Sequence, residues 1–263
     1  MKTTMLIPSV SECDDKGGHI LQPEALLDAS DASTCIIMPA GQASPEILLD
    51  FGRKVTGYLH IEFARSSLDH FRIEYGPVRS SIHAHAEYAM PMDGRFESPH
   101  YIACRYMRIR LVTRGQQPEE VFAEIRRLYL IPSEYPCSWQ GSFFCEDDEL
   151  EYIWKTGART VELCMQKNTE TSAQKLQYLP PYMVDFIRNY RGRYSDYVIF
   201  DGPRRDREAW LGDIRTEALA AMSAFGSYDV VKSSLDIFYH LQKDNGITDG
   251  CAGTVINATI DCM

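Results

Sequence analysis

Polar and apolar residues alternate with period two through Arg105–Val112. Tyr106, Arg108 and Arg110 fall on one side, and Met107, Ile109 and Leu111 on the other. That is the pattern of a strand with one wet and one buried face. Ile47–Asp50, Tyr58–Phe63 and Phe71–Tyr75 read as further strands, and Val121–Ile131 as another that ends at Pro132. The spacing of these runs, with turn residues between them, fits an antiparallel β-sandwich. Residues 1–45 read as a lead-in strand and linker, and residues 46–140 as the β-domain.

After residue 145 the period becomes helical. Leu150, Ile153, Trp154, Gly157, Val161, Cys164 and Met165 recur at three- and four-residue steps, which predicts one apolar helix face. Asp147, Asp148 and Glu149 sit where that helix begins and favour its positive end. A second helix is expected from Asp213, as cap, to Phe225, closed by Gly226. A third is expected over Tyr228–Lys243, with Val231, Leu235, Phe238 and Leu241 apolar. Between the first two lies Thr169–Phe200, read as a loop with Pro180-Pro181 and a short helix at Tyr182–Tyr190. The fold class is therefore an antiparallel β-sandwich followed by helical hairpins, with 141–263 forming the helical part.

Composition narrows the partners. The chain has 263 residues, 44% of them hydrophobic and 24% charged, the balance of a globular protein with ample core material. Its net charge of −10 argues against nucleic acid or an anionic membrane surface as partner. No signal-peptide pattern opens the sequence and no run of about 18 apolar residues occurs, so a cytoplasmic location is expected. The eight cysteines show no Cys-x-x-Cys pair and read as reduced thiols, Cys145 and Cys164 as small buried residues. His83 and His85 form a lone His-x-His pair without further ligand spacing and read as part of a surface loop. Asp50-Phe51-Gly52 imitates a kinase triplet, but no companion motif supports that reading. No cofactor is implied, and calcium on the β-domain stays open.

The chemistry concentrates in Asp201-Gly-Pro-Arg-Arg-Asp-Arg-Glu-Ala-Trp-Leu-Gly-Asp213. Four carboxylates, three guanidiniums and an indole share a turn-rich stretch. Like charges this close push some carboxyl groups toward their acid form. A carboxylic acid beside carboxylates is what cleavage of a glycosidic bond requires. Gly202, Gly212 and Pro203 read as backbone requirements of the turn.

This stretch resembles the signature Asp-Gly-Pro-x-Arg-Asp-Arg-x-x-Trp-x-Gly-Asp of the α-L-rhamnosidases of glycoside hydrolase family 78. Two other segments agree in order. Leu48-Leu-Asp-Phe-Gly-Arg-Lys-Val-Thr-Gly-Tyr-Leu59 is similar to a strand and turn of that family's β-domain. Gly141-Ser-Phe-Phe-Cys-Glu-Asp-Asp-Glu-Leu-Glu-Tyr-Ile-Trp154 is similar to the first helix of its barrel. The resemblance implies an (α/α)6 six-hairpin toroid, of which three or four helices are expected here. It thus implies the front part of a larger enzyme. It also implies inverting hydrolysis of a rhamnose-containing glycoside or oligosaccharide, with Asp206 as general acid at a position that is more often Glu. Glu208 is the alternative acid. Asp201 and Asp213 match positions that contact the sugar. Arg205 matches a position suited to sugar hydroxyls or to holding Asp201 ionised, with a structural ion pair as the plain alternative. Trp210 offers an apolar face to the sugar, or packs in the core. The water-activating base of the family lies later than Met263, so this chain is expected to turn over glycosides poorly. Two other readings stay open: a carbohydrate-binding or interaction module built on the β-sandwich, and a six-hairpin glycosidase for another deoxy sugar or a uronic acid.

Overall fold

A computed structural model describes residues 4–28, 32–99, 101–113, 119–168, 197–204, 209–242 and 244–246. Two compact units divide the chain, Met1–Pro132 and Ser133–Met263.

The first unit is built on antiparallel strands. In chain order they are β1 (Val10–Asp14), β2 (His19–Leu21), β3 (Thr34–Met38), β4 (Glu46–Ser66), β5 (His70–Gly76), β6 (Ala84–Ala89), β7 (Arg95–Glu97), β8 (Ile102–Val112) and β9 (Val121–Pro132). The runs Ile47–Asp50 and Tyr58–Phe63 prove to be one strand, β4, which serves both layers of the sandwich. Its first part pairs with β1 and β8, and its later part with β9 and β7. The register shifts between Asp50 and Val55, where Gly52 has φ 73° and donates its N–H to the Asp50 carboxylate at 2.7 Å. A glycine tolerates that backbone without strain, and the irregularity re-aims the strand. Arg105 holds the same carboxylate through two contacts of 2.9 and 3.1 Å. The Asp-Phe-Gly triplet is thus part of a structural irregularity within β4.

Alternation then does the packing. Ile47, Leu49, Leu59 and Ile61 of β4 point inward with Phe71 and Ile73 of β5 and Met107 and Ile109 of β8, all essentially free of solvent. Each such side chain is worth roughly 1.5–3 kcal/mol of burial. Phe71 sits among Phe63, Tyr88 and Phe96 at ring-centre distances of 5.2, 5.7 and 4.9 Å. The other face of β8 is polar, as its alternation requires. Arg108 and Arg110 reach Glu74 of β5 at 3.0 and 3.2 Å, and Arg72 reaches it at 3.1 Å. Residues before 46 add three strands to this sheet, and a 3-10 turn at Pro23–Leu27 buries Ala25 and Leu26. His85 lies on strand β6 rather than in a loop, and both it and His83 are exposed.

The second unit holds α1 (Asp148–Cys164), α2 (Leu211–Phe225), α3 (Tyr228–Leu241) and a two-stranded ribbon of β10 (Met165–Lys167) with β11 (Tyr197–Ile199). Asp147 caps α1 by accepting from the N–H groups of Glu149 and Leu150. The apolar stripe of α1 is only partly covered. Ala158 and Cys164 are buried, while Leu150 and Ile153 stay exposed at 49% and 56%. Trp154 and Trp139 meet edge to face at 5.8 Å, and Trp139 meets Phe225 at 5.3 Å. Cys145 is exposed, contrary to expectation: it precedes the helix, and its thiol meets the carbonyl of Asp147 at 3.2 Å. Arg159 binds Glu134 at 3.0 Å and Glu162 at 2.7 Å. Gly226, at φ 63°, ends α2 by donating to the carbonyls of Ala221 and Met222. No helix among the described residues is long and apolar enough to cross a membrane.

Candidate functional site

Two elements of the second unit deliver the described part of the 201–213 stretch. β11 leads into it. Val198, Ile199 and Phe200 are buried, so the apolar run before Asp201 anchors the loop from below. Two hydrogen bonds fix that anchor. The N–H of Phe200 donates to the carbonyl of Cys164 at 2.9 Å, and the N–H of Ile199 to Ser234 Oγ of α3 at 2.9 Å. Ser234 Oγ in turn donates to the carbonyl of Val230 at 2.7 Å. Asp201 follows directly, half-buried.

α2 closes the stretch. It begins at Leu211, two residues earlier than expected, with Trp210 at the cap position in extended backbone and without a side-chain bond to the helix. Asp213 is therefore in the first turn rather than the cap. It still favours the positive helix end there, and its carboxylate is exposed. Trp210 is 41% exposed and so is not core. Gly212 has no close neighbour at its Cβ position, so no steric demand explains it. Asp206, Arg205 and Glu208, the expected acid, its basic neighbour and the alternative acid, lie outside the described residues.

One residue of the site was not anticipated. Glu217 stands one helical turn after Asp213, on the same side of α2. Its Oε2 is shut off from solvent and has no hydrogen-bond partner among the described residues. Burial pushes its carboxyl up to about 7, with the like charges of Asp213 and then Asp201 adding to the effect. The sequence did carry a hint: Glu217 is the one acid of α2 past its first turn, among Ile214, Ala218, Leu219, Ala220 and Ala221. The carboxyl driven toward its acid form here is Glu217, outside the motif, and burial rather than crowding is the main cause.

The arrangement can hold one proton-bearing carboxyl beside two carboxylates, on a helix that starts at a partly exposed indole. That combination can donate a proton, accept hydrogen bonds from vicinal hydroxyls and face an apolar ring edge.

No protein-family model matches the chain, and no curated protein matches it. Solved structures do. A family 78 rhamnosidase of Bacillus sp. GL1 aligns with a TM-score of 0.54 at 23% identity, covering 76% of this chain and 18% of that one. A rhamnosidase from Klebsiella oxytoca with rhamnose bound aligns with a TM-score of 0.55 at 17% identity, covering 87% of this chain and 48% of that one. At such identities the likeness is one of fold. This chain thus spans less than half the length of either neighbour.

Proposed function

We propose that the chain carries the acid-side half of an inverting α-L-rhamnosidase-type glycosidase site. The observation that supports this most is the convergence of Asp201 and Asp213 on Glu217, at the two ends of a stretch that resembles the rhamnosidase signature. The likeness in fold to two rhamnosidases agrees with it. In this reading Asp206 gives its proton to the glycosidic oxygen as the bond to the anomeric carbon breaks. A water attacks that carbon from the opposite face and loses its proton to a second carboxylate, about 6.5–9.5 Å from the first. Asp201 and Asp213 accept hydrogen bonds from the sugar and offset the positive charge that develops on the ring. Trp210 lies against its apolar side. Arg205 steadies a carboxylate or a hydroxyl.

The test is hydrolysis of an aryl α-L-rhamnoside by this chain, with Asp206→Asn run beside it. Little or no turnover by the 263-residue chain is expected, together with measurable rhamnose binding that weakens at least several-fold in Asp213→Asn. Cleavage by the chain that disappears in Asp206→Asn would identify the acid and show that a base is present as well. A folded chain that neither cleaves nor binds rhamnose would sink the reading.

One observation favours a second reading, a sugar-binding module on the sandwich. A cleft of about 470 Å³ lies between the β4–β5 turn and the segment before β7, with Phe63, Leu68 and Met90 in its lining beside Arg65, Asp69 and Asp93. Sugar affinity that survives deletion of residues 145–263 and is lost in Asp69→Ala would favour this reading over the hydrolase.

A further inference from the structure

We propose that Glu217 is a positioning residue of this site, whose buried carboxyl sets the places of Asp213 and Asp201 while it carries its proton. This rests on the glycosidase reading of the site and gives it a pH control that lies outside the 201–213 stretch.

Geometry makes the acid form the stable one. An ionised carboxylate spreads its charge over both oxygens, and Oε2 is shut off from solvent and meets no donor among the described residues. The charged groups that act on it are Asp213, one turn back on its own helix, and Asp201, from the loop after β11. Both are negative. α1 and α3 also pack against α2, and no charged group of either acts on Glu217 among the described residues. Its neighbours along the helix, Ile214, Ala218 and Ala221, are buried and apolar. The displacement toward about 7 is the expected result of that surrounding. Once Glu217 ionises, a third negative charge faces Asp213 and Asp201, and Oε2 must turn toward water. Either response moves Asp213 from the place a sugar needs it.

Proton loss therefore acts as a control within ordinary physiological pH. Below about 7 the site is set, and above it sugar affinity falls, by up to about tenfold for each pH unit while the setting is lost. The test compares the full chain with Glu217→Gln, which imitates the acid form and cannot titrate. Three quantities are followed from pH 5 to 8.5: the carboxyl carbon NMR signals, the unfolding midpoint, and the affinity for L-rhamnose. In the parent chain one carboxyl signal moves near pH 7, and stability and affinity both fall across that range. In Glu217→Gln the signal is missing and both profiles lose the fall. In Asp213→Asn the signal moves at lower pH, because one like charge is gone. A carboxyl signal that moves near pH 4.5, or profiles that keep their fall in Glu217→Gln, would overturn the proposal. A signal near pH 7 in a chain that binds no rhamnose at any pH would uphold the proton on Glu217 and overturn the glycosidase reading instead.

Discussion

Ser234 shows how much a single small side chain can carry. Fully buried in α3, it accepts from the N–H of Ile199 and donates to Val230, tying β11 and hence Asp201 to the helix. Ser234→Ala leaves the Ile199 N–H without its partner in a closed interior, at a cost of about 1–3 kcal/mol. Urea unfolding is expected to show that loss as a lower midpoint with an unchanged slope. At the same scale, Asp201, Trp210 and Asp213 could be proposed from the sequence because they stand at fixed places in a stretch that resembles the rhamnosidase signature. Glu217 was not, for a physical reason. Its state depends on burial and on a carboxylate sixteen positions away in the chain, which reaches it only through the path from β11 to α2. Helix phase alone pairs it with Asp213; nothing in the sequence brings in Asp201. The start of α2 was misplaced because Asp213 has the chemistry of a cap, whereas Trp210, which has none, holds the position.

Elements with a strong period were legible to within a few residues. Arg105–Val112 lies within β8 with its faces as expected, and the three helices fall where the three- and four-residue steps put them. Short strands escaped because three residues show no period: β2, β7, β10 and β11 are each of that length. β10 and β11 are made by their partner, not by their own composition. Gly57 illustrates the converse, a demand visible only in the fold. Its φ is 156°, and a Cβ there would stand 2.1 Å from the carbonyl oxygen of Ile131 across the β4–β9 pair. Gly57→Ala must push the two strands apart, and a loss of at least about 3 kcal/mol is expected, read as a thermal midpoint lowered by many degrees. Gly226→Ala should be milder, about 1 kcal/mol, because Gln140, the side chain it meets, can swing aside.

For the molecule as a whole, the two units should answer pH in opposite senses. Arg105 holds the Asp50 carboxyl below its ordinary 3.8, so the stability it lends the first unit is present above about 4 and lost as pH falls further. Glu217 acts the other way. Its folded value lies above the ordinary 4.5, so its contribution is full below 4.5 and lost as pH climbs to about 7. Calorimetry on the chain between pH 3 and 8.5 should resolve one thermal transition that weakens toward acid and one that weakens toward alkali. Arg105→Ala should remove the first dependence and Glu217→Gln the second. A single transition with one slope would count against this division of labour.

The shared strand β4 also sets a timetable. Its residues leave the ribosome well before those of β9, so Leu59 must wait for Leu130. At about 5–20 residues per second that wait lasts several seconds. Throughout it, β1, β7 and β8 are made and can pair with β4, but the edge of Gly57–Ser66 that belongs to β9 stays bare. A nascent chain in this condition is a natural client for chaperones. Slowing translation between the codons for Ser66 and Val121 should therefore lower the soluble yield, with no change to the protein that does fold.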